Sequence, residues 1–231
     1  MQALDSDTEE PLVNSAENVA GSAISPDGAW LFYLDCARGC EGTVPVMAVP
    51  LHGGTPHLVM KSDTYGRPRC AVAPSSMCVV AEQSADGKPI IFTAFDALNG
   101  RDAEIARFET EPAAAYNWGL SPDGTRIAIL KFGDNRIHIV SLKGEAPQEV
   151  AVKHWTNLEG LYWAADCRGW FTGSKSHTGV VLLHVDLQGE AHAVWGVSGD
   201  AAMEGLPSPD GRHLAVNAAD QNTNVWLMEN F

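Results

Sequence analysis

Two glutamates have the side chain and the sequence setting that acid–base catalysis requires. Glu159 and Glu204 stand in the matching segments Glu159-Gly160-Leu161 and Glu204-Gly205-Leu206, each where an apolar run begins. Two carboxyl groups held at a set separation can hydrolyse a glycosidic bond, one as acid and the other as base or nucleophile. The pair therefore defines a hydrolase hypothesis. The alternative is that both are solvated acids of an acidic protein.

Other catalytic and metal-binding motifs are absent from the sequence. It has no Gly-x-Ser-x-Gly elbow, His-Glu-x-x-His helix, Walker loop or Gly-x-Gly-x-x-Gly fingerprint. The eight histidines are scattered, and His138 and His184 fall at equivalent points of repeated segments, which indicates shared descent rather than a metal site. We therefore predict no catalytic nucleophile, no metal and no cofactor, and we expect the chain not to be an enzyme.

Four of the five cysteines are close together in pairs. Cys36 and Cys40 bracket a short loop, and Cys70 and Cys78 flank a predicted turn symmetrically, so that a tight hairpin would place them opposite each other. Both pairs are disulfide candidates, which would indicate an oxidising compartment. The alternative is that they are buried thiols that act as small apolar residues. Cys167 stands alone and is predicted to lie in the core.

The elements that must position these residues are set by a repeated turn. Pro presets φ, Asp can accept hydrogen bonds from the backbone two residues on, and Gly tolerates positive φ, so Ser-Pro-Asp-Gly between apolar runs predicts a tight β-hairpin. The motif occurs three times, as Ser25-Pro26-Asp27-Gly28, Ser121-Pro122-Asp123-Gly124 and Ser208-Pro209-Asp210-Gly211. Three copies indicate a repeat fold.

Two degenerate copies complete the series. The segments 72–77 and 163–170 stand where further turns are due, and successive copies then follow at intervals of about 43 to 48 residues. This period is typical of propeller blades with four strands, and shorter periods are typical of helical solenoids. The sequence therefore predicts an all-β propeller of about five four-stranded blades.

The repeated unit resembles the WD-repeat-like propeller repeats of TolB and related bacterial proteins. In that family a blade consists of a strand, the Ser-Pro-Asp-Gly turn, a second strand, a loop, a third strand with a glycine-containing turn, and an outer strand. The resemblance covers essentially the whole chain and implies the fold. It says little about function, because one fold hosts many functions.

We expect one propeller domain over residues 1–231. The segment 103–108 has helix propensity, but its repeat position predicts an outer strand. Residues 10–13 would supply the outer strand that the last blade lacks, pairing with residues 225–228 to close the ring. The alternative is an arc cut from a larger propeller. The predicted blades span approximately 18–60, 66–109, 115–152, 157–195 and 203–231.

Charge and hydropathy limit the partners. Asp and Glu outnumber Lys and Arg by 29 to 15, which gives a formal net charge of −14. Nucleic acid and anionic membranes require clustered positive charge, so we predict no nucleic-acid partner. No apolar run is long enough to span a bilayer and the first residues do not resemble a signal peptide, so we expect no direct membrane insertion.

The remaining hypothesis is recognition of a protein, a peptide or a small molecule. Aromatic and arginine side chains favour binding surfaces, and propeller mouths are concave. Such side chains gather in the loops that lead into the inner strands. Of these, Trp118 and Trp163 are predicted to be interblade core. The candidate ligand-binding residues are Tyr65, Arg67, Arg69 and Tyr116, together with Glu159 and Glu204.

Three further segments resemble the propeller regions that end bacterial membrane-anchored serine/threonine kinases and transcriptional regulators. They are Leu34-Asp35-Cys36, Tyr65-Gly66-Arg67-Pro68-Arg69-Cys70 and Trp226-Leu227-Met228-Glu229-Asn230-Phe231. That resemblance implies an extracytoplasmic, periplasmic sensor module whose effector lies upstream. The alternatives are a TolB-like scaffold in an envelope protein complex and a hydrolase with Glu159 and Glu204 at a central channel.

Overall fold

All regular secondary structure in the described residues is β-strand. The computed structural model describes residues 11–13, 18–36, 42–63, 67–83, 89–111, 113–199 and 201–220. The first two sheets consist of β1 (Val19–Ile24), β2 (Trp30–Asp35), β3 (Val44–Pro50) and β4 (His57–Ser62), and of β5 (Arg69–Cys70), β6 (Cys78–Gln83), β7 (Ile90–Asp96) and β8 (Gly100–Phe108). The third sheet consists of β9 (Tyr116–Leu120), β10 (Arg126–Lys131), β11 (Arg136–Ser141) and β12 (Gln148–Ala151). The fourth sheet consists of β13 (Leu158–Trp163), β14 (Gly169–Ser176), β15 (Gly179–Asp186) and β16 (Ala191–Ser198). A two-stranded sheet follows, formed by β17 (Ala201–Pro207) and β18 (Leu214–Asp220).

The strands of each sheet follow one another in chain order, and neighbouring strands are antiparallel. Repeated four-stranded meanders of this kind are the blades of a β-propeller. The predicted fold class is therefore confirmed, with four complete blades in the described part of the chain and two strands of the next. The strand predicted at 225–228 lies outside the described residues, and residues 11–13 contain no strand. Ring closure by these two segments stays a prediction.

The Ser-Pro-Asp-Gly turns work by the mechanism that their residue types predict. In the copy at Ser121, the Gly124 amide donates to the Ser121 carbonyl (2.8 Å) and the Arg126 amide donates to Ser121 Oγ (2.9 Å). The Ser121 hydroxyl and the Thr125 amide both donate to Asp123 Oδ1, at 2.6 and 3.0 Å. Gly124 has φ +71°, which an L side chain rarely adopts. Each turn therefore orders the hairpin that follows it.

The other two copies make the same bonds. Ser25 and Asp27 bond the backbone of Trp30 and Ala29, and Ser208 and Asp210 bond that of His213 and Arg212. The hydrogen bond from the Ser25 hydroxyl lowers the pKa of Asp27, and the bond from the Ser208 hydroxyl lowers that of Asp210. The turn aspartates are therefore structural acceptors.

The degenerate turn of the fourth blade keeps the backbone pattern with different residues. The Cys167 amide donates to the Ala164 carbonyl (3.0 Å) and the Arg168 amide donates to Asp166 Oδ1 (2.9 Å). Cys167 occupies the position of the turn glycine and has φ +60°. A residue with a Cβ is disfavoured in this left-handed conformation, so this turn is less stable than its glycine-containing counterparts.

Packing divides the described residues into two compact units. The first comprises those within Met1–Ala114, Leu120–Ile127 and Val140–Pro147, and the second comprises those within Ala115–Gly119, Ala128–Ile139 and Gln148–Phe231. The core of the first unit is built by β2, β3, β6 and β7 and includes the edge-to-face pair Phe32–Phe95. The core of the second includes Trp163 and the fully buried Trp170, whose ring centroids are 4.9 Å apart.

A charged network joins the first two blades inside the first unit. Glu82 on β6 accepts two hydrogen bonds from Arg101 on β8, both 2.6 Å long. It also accepts hydrogen bonds from the hydroxyls of Ser62 on β4 (2.7 Å) and Thr93 on β7 (2.6 Å). Burial alone would raise the pKa of Glu82, but the bonds from Arg101, Thr93 and Ser62 outweigh it and lower the pKa to about 2. The network therefore holds an ionised carboxylate between the two blades.

Candidate functional site

The second unit places a phenol against one of the two predicted catalytic glutamates. Tyr162 is near the end of β13 and Glu204 is in the middle of β17, and these two strands pack together. Tyr162 Oη donates a hydrogen bond of 2.6 Å to Glu204 Oε1. The tyrosine side chain is buried, whereas Glu204 is half-buried. A short bond to a buried phenol orients this carboxylate on the inner strand of its blade.

Strand β13 contains a β-bulge between Glu159 and Tyr162, the residue that bonds Glu204. Glu159 pairs with Gly173 and Tyr162 pairs with Phe171, so two residues of β13 oppose the single residue Thr172 on β14. Gly160 has φ +70°, which this kind of bulge requires of its first residue. The bulge bends the strand and changes the direction in which the neighbouring side chains leave it.

The Thr172 hydroxyl fixes the bulge from the opposite strand. It donates to the carbonyl oxygen of Gly160 at 2.8 Å and to that of Glu159 at 3.2 Å. At Gly173, a Cβ would lie 3.2 Å from the carbonyl oxygen of Met203 on β17, so the absence of a side chain lets β17 approach β14 closely. The backbone around Glu159 and Glu204 is thus positioned by glycines and one hydroxyl.

The sequence did not predict the Tyr162–Glu204 bond or the role of Thr172. Tyr162 lies on the inner strand β13, but its partner is 42 positions further along the chain. The bulge had a signal, because a glycine inside a strand pattern indicates a bulge or a close backbone approach. The structure therefore puts Glu159 and Glu204 on packed strands and adds a phenol to the second of them.

The other candidate ligand residues are distributed over both units. Arg67 and Arg69 belong to the first unit, and both are half-buried. A Cβ on Gly21 would be 2.5 Å from the Cβ of Arg67, so β1 passes close to this arginine. Tyr116 begins β9 in the second unit and is 7% exposed. Tyr65 lies outside the described residues, and a ligand-binding role for these four residues stays a prediction.

The two tryptophans predicted to be core are buried. Trp118 and Trp163 are 3% and 5% exposed, and Trp163 Nε1 donates to the Gly119 carbonyl oxygen at 3.0 Å. The prediction that they are core residues is confirmed.

The cysteines that flank the second turn are joined. Cys70 on β5 lies opposite Cys78 on β6, and the two form a disulfide. Cys36 is buried, and Cys40, its predicted partner, lies outside the described residues. Cys167 carries no disulfide, and it is half-buried in the turn of the fourth blade, so the prediction that it lies in the core is wrong.

Within the described ranges, no three or more His, Cys, Asp and Glu side chains are grouped so that they could hold a metal ion. Nor do those ranges contain a helix with the length and apolar character to cross a membrane. The chemistry that the site offers is that of carboxylates. They can accept hydrogen bonds from hydroxyl groups and attract cations.

Comparison by sequence gives no relative for this chain. No protein-family model matches it, and no curated protein matches it. Comparison by structure gives many matches at low sequence identity.

A provisionally named TolB protein from Agrobacterium tumefaciens is similar over 90% of this chain and 73% of its own length, with a TM-score of 0.65 and 16% identity. Oligogalacturonate lyase from Vibrio parahaemolyticus is similar over 89% of this chain and 60% of its own length, with a TM-score of 0.60 and 16% identity. A provisionally named 6-phosphogluconolactonase from Bacteroides uniformis is similar over 89% and 66%, with a TM-score of 0.55 and 17% identity.

These neighbours differ in what their names say they do, so at this level of identity the likeness concerns the fold alone. The chain also spans less than two thirds of the lyase and slightly less than two thirds of the lactonase. The comparisons and the strand order agree that this chain has a TolB-like β-propeller fold.

Proposed function

We propose that this chain is a non-catalytic β-propeller that binds a ligand and serves as the sensor or interaction module of a larger bacterial signalling protein. The ligand contacts the acidic inner strands of the second unit and carries positive charge or hydroxyl groups. The observation that carries the proposal is the 2.6 Å bond from Tyr162 Oη to Glu204 Oε1, which orients a half-buried carboxylate on an inner strand.

The surroundings of this carboxylate support binding. Gly160, Thr172 and Gly173 fix the local backbone, and a preorganised site loses less entropy when it binds. The net charge of −14 favours cationic ligands over anionic ones. Most of the other acids with defined contacts serve the fold, as the turn aspartates and Glu82 do.

The disulfide between Cys70 and Cys78 supports an extracytoplasmic location, because structural disulfides persist in oxidising compartments. The chain covers 60% to 73% of the length of the three named neighbours, which is in keeping with a module of a larger protein. A TolB-like scaffold in an envelope complex would use the same fold and the same compartment.

The test is a thermal-shift screen against basic peptides, sugars and divalent metals, followed by calorimetric titration. We expect a saturable ligand whose affinity falls at least about tenfold in Glu204→Gln and less in Tyr162→Phe, which keeps the carboxylate. The matched control is Glu190→Gln, which removes an exposed carboxylate paired with Lys153 in the same unit. If no such ligand binds, or if Glu204→Gln binds as well as the control, the proposal is wrong.

A hydrolase is the second candidate, because Glu159 and Glu204 lie on packed strands and one of the named neighbours is called a lactonase. Its test is hydrolysis of chromogenic glycosides and of 6-phosphogluconolactone. An activity that disappears in Glu159→Gln and in Glu204→Gln would replace the binding proposal.

A further inference from the structure

The first unit contains a cavity of about 270 Å³ between the turns of its two blades. The β1–β2 turn, the segment 73–78 and the β7–β8 turn surround it. Its apolar lining includes Trp30, Phe32, Phe95 and Leu98. Leu98 stands at the rim with 76% of its surface exposed.

The lining of this cavity is preformed. Phe32 and Phe95 are 1% and 4% exposed, and their rings meet edge to face with centroids 4.9 Å apart. Trp30 is held by an edge-to-face contact with His57 at 5.1 Å, and His57 Nε2 lies 2.9 Å from the Ala97 carbonyl oxygen. A rigid aromatic lining does not have to reorganise when an apolar group enters it.

The fold does not require the aromatic residue at position 30. In every Ser-Pro-Asp-Gly turn the carbonyl of the fifth residue after the turn serine accepts a hydrogen bond from the serine amide. That residue is Trp30 in the first blade, whereas Arg126 and His213 occupy the position in the other two turns. Since arginine and histidine allow the same backbone hydrogen bond, the turn does not explain the tryptophan, and its surroundings in the first blade must.

The charge of the lining has one sign. Of the residues that the structure describes, Asp27 and Asp96 line the cavity, and no lysine, arginine or histidine among them does. Within the described residues, both carboxylates accept their turn hydrogen bonds through Oδ1 alone, from the Ala29 amide and the Leu98 amide among others. An apolar cavity bordered by two exposed carboxylates is complementary to an apolar group that has cations beside it.

We propose that the Trp30 cavity, defined by Trp30, Phe32, Phe95, Leu98, Asp27 and Asp96, is a docking site for a basic peptide segment of a partner protein. One apolar side chain of the segment fills the cavity, and flanking lysine or arginine side chains lie beside Asp27 and Asp96. The cavity shares no residue with the Tyr162–Glu204 pair. This docking site is therefore additional to the proposed function, and variants of the cavity test it separately from the Tyr162–Glu204 site.

The test uses three capped pentapeptides in an NMR titration of the ¹⁵N-labelled chain, with the Trp30 indole resonance assigned by Trp30→Phe. The probe is Lys-Arg-Phe-Arg-Lys, and the two comparison peptides are Lys-Arg-Ala-Arg-Lys and Glu-Asp-Phe-Asp-Glu. We expect the probe to shift the Trp30 indole and to bind at least about tenfold more tightly than either comparison peptide. Equal affinity for the alanine peptide would mean attraction by net charge alone and would overturn the proposal, as would no binding of the probe.

Variants locate the binding to the cavity. Leu98→Lys changes an exposed side chain, so the chain still folds while the new cation repels the probe, and we expect about a tenfold loss of affinity. Asp96→Asn keeps the turn acceptor and removes one charge, and we expect about a threefold loss.

Two matched controls exist in the fourth blade. Asp186→Asn alters an aspartate that accepts the same kind of turn hydrogen bonds, from the Gln188 and Glu190 amides, and Trp195→Ala removes an exposed tryptophan on β16. Both are expected to leave the probe affinity within about twofold. If Leu98→Lys and Asp96→Asn also stay within twofold, or if the controls lose as much as they do, the site is not the Trp30 cavity.

Discussion

Replacement of Glu82 by glutamine removes the charge at the centre of the network that joins the first two blades. The side chain keeps its size but loses the anion that faces Arg101, and its amide group places donors against the hydroxyls of Ser62 and Thr93 or against the guanidinium. Glu82 is only 15% exposed, so solvent cannot replace the lost contacts fully.

The pKa of Glu82 gives the size of the effect. Lowering it from 4.5 to about 2 means that folding favours the ionised form by roughly 3 kcal/mol, at about 1.4 kcal/mol per pKa unit. The folded pKa lies below the unfolded one, so this stability is fully present above about pH 4.5 and is lost as the pH falls toward 2. Glutamine does not titrate, and the variant lacks this contribution at every pH.

The assay is urea-induced unfolding followed by circular dichroism at pH 7, 5, 4 and 3. We expect Glu82→Gln to lower the unfolding free energy of the first unit by about 3 kcal/mol at pH 7, and we expect the difference from wild type to shrink toward pH 3. The matched control is Glu104→Gln, which breaks an exposed pair with Arg107 on β8 and should leave the transition unchanged within error. Equal unfolding free energies of the two variants at pH 7, or a loss in Glu82→Gln that is the same at pH 3 as at pH 7, would refute this role of Glu82.

Three further predictions concern the turns and the disulfide. Cys167→Gly should raise the unfolding free energy by about 1 kcal/mol, because position 167 has φ +60°, and Cys167→Ala should not; equal urea midpoints for the two would contradict this. Ser121→Ala should lower the unfolding free energy by about 1–2 kcal/mol, because the fully buried hydroxyl oxygen accepts hydrogen bonds from the Thr125 and Arg126 amides. An unchanged urea midpoint would refute that role. Peptide mapping without reductant should recover Cys70 linked to Cys78, and reduction should cost about 2–3 kcal/mol for a loop of this length; recovery of both as thiols from oxidised protein would remove the compartment argument.

The repeated turn made the fold predictable. Its residue types define the hairpin chemistry, and its period defines four strands per blade, so position in the repeat could outweigh local preference. Strand β8 shows this best, since its Ala-Glu-Ile-Ala-Arg segment has helix propensity but pairs along the outer edge of β7. Pairing with β7 and its place in the repeat decide its conformation.

The polar networks could not be predicted in the same way. Glu82 contacts residues on three other strands, and Tyr162 contacts Glu204 on the next blade, 42 positions further along the chain. The local sequence of neither glutamate predicts its hydrogen-bond partner, because the partner depends on how neighbouring blades pack. The cysteine pair is the opposite case, since its symmetric spacing about a turn gave the register directly.

The bulges in β1 and β13 have the same backbone but different side chains. β1 contains the same irregularity as β13, with Gly21 at φ +49° in the position of Gly160, and there Ala20 and Ala23 stand where β13 has Glu159 and Tyr162. The two bulged strands therefore share the glycine but neither the carboxylate nor the phenol, whereas Asn117 and Glu204 occupy the glycine's place in β9 and β17. Trp30 stands in the same relation to Arg126 and His213 in the other turns. Where side chains differ between equivalent backbone positions, the fold does not determine the residue type. Glu159, Tyr162 and Trp30 are such side chains, and selection for binding can have acted on them.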